Sequence, residues 1–275
     1  MENKTVWVTG ASSGIGKAIA HSYSEKGARL ILSGRRVEAL EAVQKALPND
    51  SLVLPFDTTD FAALSDHVDA AWNWQGRVDV LVNNAGVSQR SLALHTKPEV
   101  YMRLINVDLI APIWLTQLIL PKMVDAGGAQ IIAISSVAGR IGAPLRTAYS
   151  AAKHGLIGYM DALRAEVELA HNIKVLNVLP GSVATNVDQN ALSGDGQAFG
   201  KKDENIQNGD DPMDLAHAIL QAVDQGEREL IFAKGIELQV AKLRHENPEH
   251  LFSMIAQLGA QIASSYEQGD DSKGY

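Results

Sequence analysis

Seven short apolar runs, separated by segments of helical length, constrain this chain more than any other feature. They lie at residues 6–8, 29–32, 52–54, 80–82, 131–134, 175–179 and 230–232. Within each run the apolar character is nearly continuous rather than alternating. That pattern predicts strands buried on both faces, as in a parallel sheet. Helical patterns fill the gaps at 14–26, 37–47, 60–74, 98–126, 150–170 and 212–225. Asp211 before Pro212 marks the last start, an N-cap followed by proline at the first helical position. Strand and helix in strict alternation predict an α/β fold: a Rossmann-like, doubly wound parallel sheet of about seven strands with helices on both faces.

Two segments fall outside this rhythm. Residues 186–210 are rich in Asn, Gly, Asp and Gln and predict a long loop; loops of that length are often functional lids. Its apolar content is too low to roof a hydrophobic pocket by itself. Further on, Leu251, Ile255, Leu258 and Ile262 recur at helical spacing. The expected organisation is a nucleotide-binding catalytic domain at 1–235, a helical extension at 236–266 and a flexible tail at 267–275. The extension is expected to cap the substrate site or to border a subunit contact.

Composition narrows the function classes. With 24 Lys+Arg against 32 Asp+Glu, the net charge is -8, which argues against a nucleic-acid partner. The absence of cysteine excludes disulfides, thiolate zinc sites and cysteine nucleophiles. The run His245-Glu246-Asn247-Pro248-Glu249-His250 hints at a metalloprotease helix. It lacks the second histidine at the required spacing, and Pro248 interrupts it, so no metal is expected. The most apolar stretch, 104–124, is interrupted by Asn106, Asp108, Pro112 and Gln117; a membrane span is not expected. No signal-peptide pattern is visible, and the expected location is the cytoplasm.

The chemistry clusters at strand ends. After the first strand comes Thr9-Gly10-Ala11-Ser12-Ser13-Gly14-Ile15-Gly16. Glycines there let the backbone approach a pyrophosphate, and the following helix start offers free N–H groups. Tyr149 and Lys153 are four residues apart and share a helix face. A cation beside a phenol favours the phenolate, as an acid/base group needs. Asn83-Asn84-Ala85-Gly86, Ser135-Ser136-Val137-Ala138-Gly139 and Pro180-Gly181 follow later strands. All therefore fall on the carboxyl edge of the sheet, where ligands bind.

In this order and spacing, these motifs resemble the classical short-chain dehydrogenase/reductase family over roughly residues 4–232. The stretches 83–92 and 234–238 are similar to its dehydrogenase/reductase member 7 branch. The resemblance implies direct hydride transfer between a nicotinamide cofactor and a carbonyl or alcohol substrate. It implies Tyr149 as general acid/base, Lys153 as its activator and ribose ligand, and Ser136 as the hydrogen-bond donor to the substrate oxygen. Asn106 would hold a water relaying protons to Lys153. Cofactor contacts would come from Gly10, Ser12, Ser13, Gly14, Ile15, Gly16, Asp57, Asn83, Ala85, Gly86, Tyr149, Lys153, Pro180, Gly181, Val183 and Thr185. At the end of the second strand Gly34 stands where NAD-specific members place an acid, and Arg35 follows it. NADP(H) is therefore preferred over NAD(H), with Arg36 read as the start of the next helix. Arg90, Arg140 and Arg146 read as solvated loop arginines, with an anionic substrate as the alternative. The family also implies a homodimer or homotetramer. The competing readings are a nucleotide-binding regulatory protein without catalysis and a nucleotide-sugar epimerase.

Overall fold

The computed structural model describes residues 2–201 and 203–268. Seven strands form one sheet: β1 (Thr5–Thr9), β2 (Arg29–Ser33), β3 (Ser51–Val53), β4 (Val80–Asn83), β5 (Ala129–Ile134), β6 (Ile173–Pro180) and β7 (Glu229–Phe232). Their order is β3-β2-β1-β4-β5-β6-β7, and every neighbouring pair is parallel. Each predicted run lies within its strand or one residue beyond it. Continuous apolarity follows from the layering. Val6 and Val8 face one core with Leu30, Leu32, Val80 and Val82. Trp7, between them, faces the other core with Ile31, Leu81 and Ile131. Strand order reverses between β1 and β4, which places the ligand crevice at their carboxyl ends.

Helices α1 (Gly14–Glu25), α2 (Val37–Ala46), α3 (Leu64–Gln75), α4 (Pro98–Ile105), α5 (Ala111–Asp125) and α6 (Thr147–His171) follow the predicted segments closely. The segment 98–126 departs from the expected single helix. Between α4 and α5, Asn106–Ile110 forms a π-helical turn, and the Ala111 N–H donates to the Asn106 carbonyl. Such a turn inserts a residue into the helical register and is frequent at functional sites. Past β6 come α7 (Glu204–Gln207), α8 (Pro212–Gln225), α9 (Gly235–Glu246) and α10 (Pro248–Glu267). The Asp211 carboxylate caps α8 by accepting from the Met213 N–H at 2.7 Å.

The expectation of no membrane span is overturned. Pro98–Asp125 runs for 28 residues at a mean hydropathy of 1.5, long and apolar enough to cross a bilayer by length and composition. In the fold described here, this segment contributes Leu115, Ile119 and Met123 to the core. It leaves Met102, Trp114 and Leu118 exposed.

The long loop also differs from expectation. It folds back on the chain through bridges between Gln89 and Leu192, Leu192 and Ala198, and Val183 and Asp210. Ala191, Leu192 and Ile206 are buried, so few apolar residues suffice to close it over the crevice. The C-terminal stripe packs against the segment after β5 and against β7. Leu251 and Ile255 join Val240 and Ala241 against Val137, Ile141 and Ile231. Glu237 at the start of α9 accepts from the Ser182 N–H at 2.8 Å and from its hydroxyl at 2.9 Å. Residues 269–275, most of the expected tail, lie outside the described residues. Leu251 is 1% exposed, and Leu251→Ala should cost about 2–4 kcal/mol of stability. A drop in the thermal midpoint with unchanged nucleotide affinity is the expected result, read by calorimetry and nucleotide titration.

Candidate active site

A cavity of about 630 Å³ opens at the carboxyl ends of β1, β4, β5 and β6. Its floor at one end is the glycine turn. Gly10 has φ +67°, and a Cβ there would lie 2.8 Å from Asn84 Nδ2 and 2.9 Å from the Ala85 Cα. Only glycine lets these two strand ends close up. Thr9 ties them together: its Oγ1 accepts from the Asn84 and Ala85 N–H groups at 3.0 and 3.1 Å. The first turn of α1 has no side-chain cap from Ser13, and Gly14 and Ile15 border the cavity. Orphan N–H groups and a positive dipole end beside a glycine turn suit a pyrophosphate. Arg36 Nη2 donates to Ser12 Oγ at 3.1 Å and to Ser13 Oγ at 3.0 Å. A second cation, Arg35, stands 3.9 Å from Asp57 Oδ2. Both arginines line the cavity, and Arg36 is also the N-cap of α2.

At the other end stand Ser136, Tyr149 and Lys153. The start of α6 has no cap from its own Arg146. Gln89, fully buried, supplies one across the fold: its Oε1 accepts from the Ala148 N–H at 2.8 Å and the Tyr149 N–H at 3.4 Å. That contact fixes the backbone from which the phenol projects. Lys153 is 5% exposed. Its Nζ donates to the Ile134 carbonyl at 3.0 Å and lies 5.5 Å from the centre of the Tyr149 ring. Ser136 Oγ accepts from the Ala138 N–H at 3.1 Å and reaches the Pro180 carbonyl at 3.4 Å. Ser135 Oγ instead donates to the Lys153 carbonyl at 3.1 Å, so it braces β5 against α6.

Ala85, Gly86, Pro180, Gly181, Val183 and Thr185 also line the cavity. Four expected residues do not. Gly16 lies behind the turn, where a Cβ would collide with the Gly10 carbonyl. Asn83 points away from the crevice and donates from Nδ2 to Thr116 Oγ1 at 3.0 Å; its neighbour Asn84 faces the site. Asp57 and Asn106 border an adjoining cavity of about 620 Å³ with Arg35 and Arg103. The charged group beside Lys153 is Asp108. Asp108 is fully buried, its Oδ1 4.0 Å from Lys153 Nζ and accepting from the Val87 N–H at 2.9 Å. Its Oδ2 is buried without a hydrogen-bond partner. Burial pushes this carboxyl up to about 6, with Lys153 and the Val87 N–H opposing. A Cβ on Gly86 would lie 2.7 Å from Asp108 Oδ1, so glycine makes room for the pair.

The loop arginines are not simply solvated. Arg90 is 6% exposed, and its Nη1 pairs with Asp203 Oδ2 at 2.5 Å. Arg146 Nη2 lies 4.0 Å from the same oxygen, its side chain 22% exposed. Both line the cavity. Arg140 turns away, to Glu229 and His245.

Comparison with known proteins agrees with this geometry. The family profile described as short chain dehydrogenase matches residues 4–196. A dehydrogenase/reductase SDR family protein 7-like from Anopheles gambiae is 36% identical, over 96% of this chain and 86% of its own. Dehydrogenase/reductase SDR family member 7B from Danio rerio is 40% identical, over 85% of this chain and 78% of its own. Among solved structures, a short-chain dehydrogenase from Streptomyces avermitilis is 29% identical with a TM-score of 0.78, covering 98% of each chain. A short chain dehydrogenase/reductase from Burkholderia phymatum, in complex with NAD, shares the fold at a TM-score of 0.81 and 21% identity, covering 90% of this chain and 95% of its own.

Proposed function

Because this chain belongs to the classical short-chain dehydrogenase/reductase family, in its member 7 branch, we propose that it interconverts a carbonyl and an alcohol, with Tyr149 as the proton donor and acceptor. The chain is an oxidoreductase of the nicotinamide-dependent kind by that membership. The observation that carries the finer reading is the meeting of Ser136, Tyr149 and Lys153 in the cavity that also holds the glycine turn. The nicotinamide supplies or accepts the hydride when bound. Ser136 Oγ orients the substrate oxygen. Tyr149 gives its proton to that oxygen in reduction and takes it back in oxidation. The Lys153 ammonium stabilises the phenolate that remains. Asp108 sets how much positive charge Lys153 presents. The test is the loss of nicotinamide absorbance with a panel of ketones, aldehydes and steroid-like carbonyls; no turnover across the panel would end this reading.

NADP(H) is the proposed cofactor. Two guanidinium groups, Arg35 and Arg36, flank the glycine turn, and Gly34 supplies no carboxylate for a ribose hydroxyl. Each charge-assisted contact to a 2′-phosphate contributes about 1.5–3 kcal/mol. Arg35→Ala and Arg36→Ala should each weaken NADPH at least about tenfold and leave NADH nearly unchanged, read by fluorescence titration. Equal losses for the two cofactors would mean that neither arginine reads the phosphate.

A further inference from the structure

The end of the cavity beyond Tyr149 holds a cluster that the proposed chemistry does not use. Arg90, Arg146 and Asp203 meet there under the long loop. Arg90 and Asp203 are 6% and 7% exposed. Arg90 spends Nη1 on Asp203 and lies 5.8 Å from the centre of the Phe199 ring, while its Nε is buried without a partner. Arg146 sits three residues before Tyr149 at the head of α6. Its guanidinium lies 4.0 Å from Asp203, and Arg90 and Glu237 act on it from farther off. No hydrogen bond joins it to any of the described residues. A guanidinium presents five donors, and leaving them unpaired out of bulk water is costly.

Resting on the oxidoreductase reading, we propose that this end of the cavity is a carboxylate-binding subsite, and that the preferred substrate is an oxo acid or the corresponding hydroxy acid. Arg146 supplies the planar fork that a carboxylate accepts from in bidentate fashion. The charges point to a monoanion. Arg90 and Arg146 carry two positive charges and Asp203 one negative, so the trio is short of one negative charge. Two further carboxylates add to the field, but neither meets the Arg146 guanidinium: Asp188 accepts from the Gln189 N–H at 2.8 Å and the Asp203 N–H at 2.7 Å, and Glu237 accepts from the Ser182 N–H and hydroxyl. A dianionic phosphate would leave the trio with surplus negative charge. Burying a neutral ligand would leave Arg146 unsatisfied. Leu192, Ala198 and Ile206 line the same region and suit a short aliphatic link between carbonyl and carboxylate.

The test uses oxo acids with the carboxylate two to six carbons from the carbonyl, each paired with its methyl ester, with NADPH and the full chain. For at least one chain length, wild type should favour the acid over the ester by at least about tenfold in kcat/KM, mainly through KM. Arg146→Gln should collapse that ratio, and Arg146→Lys, which keeps the charge without the fork, should restore part of it. Equal use of acid and ester at every length, or a ratio unchanged in Arg146→Gln, would overturn the subsite. If neither member of any pair is turned over while other ketones or aldehydes are, the oxidoreductase reading stands and the oxo-acid preference fails; if no carbonyl is turned over, the oxidoreductase reading fails instead. Calorimetric binding of the acid then decides the subsite by itself: binding lost in Arg146→Gln supports it, and no binding by wild type refutes it.

Discussion

Tyr149→Phe lowers kcat/KM for carbonyl reduction by at least about 100-fold while nucleotide binding survives. The substitution removes one oxygen and keeps the ring. The ring's contact with Lys153, 5.5 Å from ammonium to ring centre, remains available. So does the backbone anchor from Gln89, because it accepts from the Ala148 and Tyr149 N–H groups and not from the phenol. What disappears is the proton that must reach the substrate oxygen as hydride arrives at carbon. Positioned acid catalysis contributes about 10²–10⁴-fold, and no other cavity residue at this end replaces it. The Ser136 hydroxyl donates to the Pro180 carbonyl at 3.4 Å, and Lys153 donates to the Ile134 carbonyl. Stopped-flow rates with NADPH, beside fluorescence titration of the nucleotide, separate chemistry from binding. Wild-type turnover by the Phe variant would remove Tyr149 from the mechanism.

Much of this architecture could be read directly from residues, and the misses share a physical pattern. A strand buried on both faces leaves an apolar run, so β1 to β7 announce themselves. The glycine turn, Tyr149 and Lys153 announce themselves too, because each is a local spacing on one element. The errors arise where two nearby residues compete for one direction. Asn83 and Asn84 are adjacent, and alternation along an extended chain sends one toward Thr116 and the other toward Thr9. Asp108, whose pairing with Lys153 only the fold creates, carries no spacing that marks it. The π-helical turn at Asn106–Ile110 shifts the register there, and no residue pattern marks it. Arg90 and Asp203 are 113 positions apart, a pairing that only the folded lid creates. Arg36 was legible as a helix start, yet the same geometry aims it at Ser12 and Ser13.

Asp108 makes both stability and rate depend on pH, and Asp108→Asn should abolish both dependences. Its carboxyl is held up at about 6 by burial, against the opposing pull of Lys153 and the Val87 N–H. In the unfolded chain the same group titrates near ~4. Between those values the folded protein binds a proton that the unfolded chain has released. Stability contributed by this group is therefore full below about 4, falls as pH rises toward 6 and is lost above it. Two pH units correspond to roughly 2–3 kcal/mol. Asparagine keeps an acceptor for the Val87 N–H without the buried charge, so the variant should be the more stable protein at neutral pH. The catalytic consequence follows from charge. Above 6 the carboxylate, 4.0 Å from Lys153 Nζ, cancels part of the field that stabilises the phenolate left on Tyr149. Below 6 the neutral acid leaves that field whole. Val87 contributes only a backbone N–H, so Lys153 is the one charged group acting on this carboxyl among the described residues. Wild-type kcat/KM for reduction should step down several-fold between pH 5 and 7, by an amount on the order of one nearby-charge effect. The Asn variant should hold its low-pH rate through that window. Parallel pH–rate profiles, together with equal thermal midpoints at pH 7, would show that Asp108 neither tunes Lys153 nor strains the fold.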